Sequence, residues 1–119
     1  MQNFERTIFE PGDVVKVPFP YTDRATRQHR PALVASAPRL QREYGLLWVL
    51  MITSAENRGW NGDVAINELA SAGLPAASVI RTAKIATIEA RDAETLGKIS
   101  ARTRSQVLRR FLNNMQTAE

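Results

Sequence analysis

Up to about residue 100, apolar residues in this chain occur in runs too short for anything but strands; after that the period changes. Val14, Val15 and Val17 mark the first run, over residues 13–19. It is opened by Pro11-Gly12 and closed by Pro18 and Pro20, residues that start and stop strands. Residues 21–29 hold no aliphatic side chain larger than Ala and read as a loop, followed by a second apolar run over 30–36. Residues 38–44 are a polar connection, and 45–52 form a third run apolar enough for a strand buried on both faces. On this reading Trp48, inside that run, is a core residue. Asn57, Gly59, Asn61 and Gly62 punctuate a turn, 63–66 is a short strand, and 68–73 a helical turn. From 78 to 89 the residues alternate, with Val79, Arg81, Ala83 and Ile85 opposite Ile80, Thr82, Lys84 and Ala86, which predicts one long strand. Val107, Leu108, Phe111, Leu112 and Met115 then fall on one stripe of an amphipathic helix, with Ser100 as its N-cap. Short strands followed by one terminal helix predict a mainly β fold, a small curled antiparallel barrel with that helix packed against it.

Composition narrows the function. A length of 119 residues allows one domain, 1–119, with 44% hydrophobic residues to build its core. The longest apolar run is strand-length, far below the roughly 20 residues of a membrane helix. No signal-peptide pattern opens the chain, so a cytoplasmic protein without membrane association is expected. There is no cysteine, which removes disulfides and thiolate metal sites. The net charge is +4, with thirteen Arg against three Lys. Arginine's planar fork binds two phosphate oxygens at once, so the balance favours nucleic acid or an acidic protein partner.

Familiar hydrolytic constellations are missing. One histidine and no cysteine leave no Cys-His pair, and no Gly-x-Ser-x-Gly elbow or Gly-rich phosphate loop occurs. His29 has no second histidine for a metal site, so neither metal nor cofactor is expected. An enzyme built this way must work by positioning, cationic stabilisation and proton transfer. RNA permits that, because its 2′-hydroxyl is a built-in nucleophile that needs only alignment and charge stabilisation at phosphorus. Arg30, Arg81, Thr53 and Ser54 have the right chemistry. Read from residues alone, Arg30 is a surface arginine near a turn, and Thr53-Ser54 a hydroxyl pair closing a strand, sooner than either is catalytic. Arg81 is equally a charge paired with Glu89 or another neighbour.

Three ordered blocks reverse that balance. Gly12-Asp13-Val14-Val15-Lys16-Val17-Pro18-Phe19 followed by Arg30-Pro31-Ala32-Leu33-Val34, then Thr53-Ser54 after an apolar strand, then the run from Ser78 through Val79-Ile80-Arg81 and Lys84-Ile85 to Thr87-Ile88, together resemble the MazF/PemK family of toxin ribonucleases. The resemblance covers roughly residues 10–115 and implies an SH3-like (CcdB/PemK) barrel and a homodimer. It implies a type II toxin cutting single-stranded RNA without metal, held inactive by a small acidic antitoxin with which it binds operator DNA. It makes Arg30, Thr53 and Arg81 catalytic. Ser54, His29, Arg27, Lys84 and Tyr21 are the expected RNA contacts; Tyr21 and Trp60 flank loops where they could stack unpaired bases. Some relatives carry an acidic residue two positions after the third block's arginine, and here that position is Ala83. The competing reading is a barrel of the same shape that grips nucleic acid or an acidic peptide without cutting.

Overall fold

The computed structural model describes residues 7–19 and 28–115. Strand β1 (Asp13–Pro18) pairs with β2 (His29–Val34), and a short helix α1 (Pro38–Tyr44) leads into β3 (Leu46–Ser54). Then come β4 (Val64–Ile66), one helical turn α2 (Leu69–Ala72), the long strand β5 (Ser78–Glu89), β6 (Glu94–Lys98) and the terminal helix α3 (Ala101–Met115). All pairings are antiparallel, in the order β4-β5-β3-β2-β1-β6. The sheet curls into a half-barrel with β4 and β6 at its edges, the small β fold with a C-terminal helix that the apolar pattern predicts.

The sheet is covered on both faces, which is why β3 reads as continuously apolar. Leu47 and Val49 join Val15, Val17, Ala32, Val34, Ala86 and Ile88 on one face. Leu50 and Ile52 join Val14, Leu33, Val64, Ile66 and Ile80 on the other, with Val107 and Phe111 of α3 laid over them. Ser100 caps α3 as expected, its Oγ accepting the Thr103 N–H at 3.1 Å.

Four local readings change. Residues 38–44 are helical rather than irregular: Pro38 sits in the first turn and Gly45, at φ 70°, takes the left-handed C-cap. Its one buried side chain is polar Gln41, so no apolar stripe announced it. The edge strand β6 had no periodic signal to betray it. Alternation along β5 is broken, since Leu50 pairs with Ile85 but Met51 with Arg81, leaving residues 82–84 in a bulge. The bulge inverts the faces, so Ile80 lies on the α3 side and Ala86 and Ile88 on the opposite one. Trp48, finally, is not core: it lies on the α3 side but beyond the helix's cover and is 43% exposed.

Candidate functional site

The Arg30-Pro31 pair shapes the site as well as charging it. β2 pairs with β1 from His29 onward, but its ladder to β3 begins only at Ala32, opposite Met51. Pro31 has no N–H to give that ladder. The start of β2 and the end of β3 therefore part, and a cleft of about 330 Å³ opens there. Arg30, Pro31, Thr53, Ser54 and Asn57 line it, with the 74–78 segment as the far wall. The cleft thus brings together Arg30, Thr53 and Ser54, three of the side chains singled out in the sequence.

Their hydrogen bonds differ in kind. Thr53 is buried, and its Oγ1 accepts the Asn57 side-chain amide at 2.6 Å. A hydroxyl that is already accepting has its own proton left to give. Ser54 is exposed and accepts the Glu56 N–H at 3.1 Å, the local turn that a serine at a strand end makes. Arg30 is half-exposed and its Nη2 donates to exposed Gln28 at 3.1 Å. Such a solvent-facing partner is readily exchanged for a phosphate. Arg30 is also the one charged side chain among the residues lining the cleft. His29, its neighbour, is exposed.

Arg81 sits elsewhere, beside the bulge of β5 and outside the cleft lining. Its side chain is 9% exposed, with Nε and Nη2 donating to the two Asp63 oxygens at 3.2 and 3.0 Å. Nη2 also donates to the Arg58 carbonyl at 2.8 Å, and the guanidinium lies 4.4 Å from the centre of the Trp60 ring. The neighbour that satisfies Arg81 is therefore Asp63 and not Glu89, which meets Arg91. Burial works against ionisation of Asp63, but the Arg81 hydrogen bonds, the Trp60 N–H and the Arg81 charge outweigh it and hold its carboxyl below the usual range. Lys84, in the bulge, approaches the same Trp60 ring at 5.9 Å. Ala83 is exposed in the bulge, and the carboxylate beside Arg81 comes from Asp63.

Tyr21 and Arg27 lie outside the described residues. Asn57 and Asp63 are site residues that sequence reasoning missed. Asn57 was read only as turn punctuation and Asp63 as the start of a short strand, and Asp63's partner Arg81 lies eighteen residues away across the fold. No group of three or more His, Cys, Asp or Glu able to hold a metal occurs among the described residues, and no helix there is long and apolar enough to cross a membrane.

Residues 10–114 match the family model described as PemK-like, MazF-like toxin of type II toxin-antitoxin system. The chain belongs to that family. No curated protein matches it. Among solved structures it resembles MazF from Deinococcus radiodurans, at 19% identity and a TM-score of 0.75, over 92% of this chain and 98% of that one. A MazE-MazF complex from the same organism gives 21% identity and 0.76, over 94% and 100%. An endoribonuclease in complex with its cognate antitoxin from a mycobacterial species gives 14% and 0.72, over 96% and 99%. PemK/MazF toxins are as a class endoribonucleases. The low identities make the structural likeness evidence for the fold.

Proposed function

We propose that this PemK/MazF-family chain is a metal-independent endoribonuclease that cuts single-stranded RNA, mRNA being the expected target, by attack of the 2′-hydroxyl on phosphorus. One observation carries the reading: the gap that Pro31 opens between β2 and β3 holds an arginine with only an exposed amide partner beside a buried threonine whose hydroxyl accepts from Asn57 and keeps its own proton to give. Arg30 would take the phosphoryl oxygens in a two-pronged grip and stabilise the charge that gathers on them. Thr53 would donate to one of the same oxygens, with Asn57 setting its direction. The 2′-hydroxyl gives up its proton to water as its oxygen bonds to phosphorus, the bond from phosphorus to the 5′-oxygen breaks, and that oxygen takes a proton from water. The products are a 2′,3′-cyclic phosphate and a 5′-hydroxyl. Ser54, His29 and Lys84 would contact the strand rather than the reacting phosphate.

The same reading gives the chain an acidic antitoxin partner, joint binding of operator DNA, and self-association. A net charge of +4 supports an acidic partner. The apolar residues α3 leaves exposed, Leu108, Leu112 and Met115, support a protein partner on that helix. Neither a carboxylate nor an imidazole lines the cleft among the described residues, which favours the second reading, a module that holds RNA without cutting it.

Incubation with single-stranded RNA in EDTA decides between them. Cleavage is expected, and RNA lacking the 2′-hydroxyl at the cut position is expected to resist. Arg30→Ala should slow cleavage about 100- to 1,000-fold, the usual loss for one preorganised charge stabiliser. Arg30→Lys should recover part of that, since the charge stays and the fork is lost. Equal cutting of the deoxy-substituted RNA, or binding with no cleavage at all, would sink the mechanism.

A further inference from the structure

The most elaborate side-chain cluster of the described residues lies outside the cleft, and it centres on Arg81. We propose that Arg81 is a positioning residue: with Asp63 it forms a latch that holds the β3–β4 loop and, through Asn57, sets the Thr53 hydroxyl. This rests on the ribonuclease reading of the cleft and assigns Arg81 a role that needs no contact with RNA.

The contacts run as a chain. Both Asp63 oxygens accept from Arg81, and Oδ2 also accepts the Trp60 N–H at 2.9 Å. Arg81 Nη2 reaches the Arg58 carbonyl at 2.8 Å, and the guanidinium covers the Trp60 ring. One guanidinium thereby ties residues 58, 60 and 63. The next residue back, Asn57, carries the amide that donates to Thr53 Oγ1 at 2.6 Å. A second anchor closes the loop's far end, where Thr82 Oγ1 donates to the Gly62 carbonyl at 2.8 Å. Gly62 holds φ 99°, a conformation that favours glycine, and a Cβ there would stand 3.1 Å from Thr82 Oγ1. The β5 bulge supplies both anchors, because it turns Arg81 and Thr82 toward the loop side by side and buries both.

Competition between ligands favours a latch over a phosphate contact. A phosphate bound by Arg81 would have to displace a carboxylate that already fills a two-pronged grip in a buried site. Arg30 has only an exposed amide to displace. A loop segment loosened by even about 1 Å at Asn57 is enough to cost on the order of 100-fold in rate. Arg81 therefore acts through the loop, and Asp63 matters as much as Arg81 does.

The test is a double-mutant cycle read in two ways. Single-turnover cleavage of a single-stranded RNA oligonucleotide in EDTA is measured for wild type, Asp63→Ala, Arg81→Ala and the double variant. Asp63→Asn and Arg81→Lys keep the packing if either alanine variant fails to fold. The latch predicts losses in the rate constant of about 10- to 100-fold for either single change, with the apparent affinity for RNA little altered. It predicts a double variant no slower than the worse single, as for residues acting as one unit. Asp63→Asn should retain more rate than Asp63→Ala, since an acceptor oxygen remains. If Asp63→Ala cuts like wild type while Arg81→Ala is crippled, Arg81 serves the phosphate itself and the latch is overturned. Losses that multiply in the double variant overturn it too. The second readout is independent of catalysis: the Arg81 Nε–H and Trp60 indole N–H resonances in ¹⁵N spectra. Both should shift in Asp63→Asn. Unmoved resonances overturn the latch even in an active enzyme. A wild type that cuts no RNA overturns the ribonuclease reading instead, while shifted resonances in that case leave the latch standing as a loop restraint.

Discussion

At Thr53 the direction of one hydrogen bond decides what the site offers. Asn57 donates and Thr53 accepts at 2.6 Å, so the threonine proton points away from Asn57. Asn57→Asp reverses that logic, because a carboxylate only accepts and would draw the Thr53 proton to itself. Cleavage is expected to fall by about 10-fold or more, in the range of a mispositioned catalytic group, with little change in melting temperature. Wild-type rates in Asn57→Asp would show that Thr53 is not a donor in the reaction. Arg30 and Thr53 were legible in the sequence because each sits in a short, ordered motif. Asn57 and Asp63 were not, since their partners are set by loop geometry and by a bulge eighteen residues away from Asp63. Glu68 makes the same point for stability. Burial opposes its ionisation, yet hydrogen bonds from the Ser100 N–H and hydroxyl and from Thr103 prevail and lower its pKa from 4.5 to about 2. The folded chain thus sheds a proton that the unfolded chain holds, so this contribution is complete above about 4.5 and is lost as pH falls toward about 2. Glu68→Gln is expected to lower stability by about 1 kcal/mol near neutral pH, where it removes a charge-assisted bond. The gap should close near pH 2. Melting curves with the same gap at both pH values would assign the loss to something other than that charge.

Elements were legible in proportion to how much apolar period each carries. The four strands β1, β2, β3 and β5 announce themselves through valine-, leucine- and isoleucine-rich runs, and α3 through its stripe and cap. The helix α1 buries only Gln41, and β6 spends its five residues on an exposed edge, so neither carries a period to read. What fixes β6 is backbone contact. Gly73 ends α2 in the left-handed region at φ 74°, and Gly97 of β6 lies directly against the α2 backbone. A Cβ on Gly97 would collide with the Ser71 carbonyl and with Ala72, groups that cannot swing aside as a side-chain tip can. Gly97→Ala is expected to destabilise the fold by about 3 kcal/mol, at the upper end of overpacking losses. Chemical denaturation checks it, and an unchanged midpoint would mean that α2 and β6 are not packed backbone to backbone.

Across the whole molecule, the covered and uncovered parts of the α3 side divide the apolar residues in two. Val107 and Phe111 close over Leu33, Leu50 and Ile52, which accounts for the inner half of the helical stripe. The outer half, Leu108, Leu112 and Met115, remains 46–60% exposed. On the sheet beside it Trp48 and Ile85 are exposed too, and both neighbour buried Leu50, Trp48 two residues along β3 and Ile85 across the ladder. A groove of about 420 Å³ runs between, lined by Leu33, Leu50, Val107, Leu108 and Phe111. A lone exposed leucine is ordinary, but a patch that joins a helix flank, a groove and two strand residues is the kind that partners cover. Self-association through this side is therefore expected, since a second copy presents the same apolar patch. Leu112→Glu places a charge on it without entering the core, so the fold should survive. The expected result is a lower mass in sedimentation equilibrium than wild type at the same concentration, with an unchanged circular-dichroism spectrum. Among the described residues Arg104 is the one charged residue lining the groove, so raising the salt concentration should alter the wild-type mass little while weakening binding of an acidic partner. An unchanged mass for Leu112→Glu would show that this side of α3 does not carry self-association.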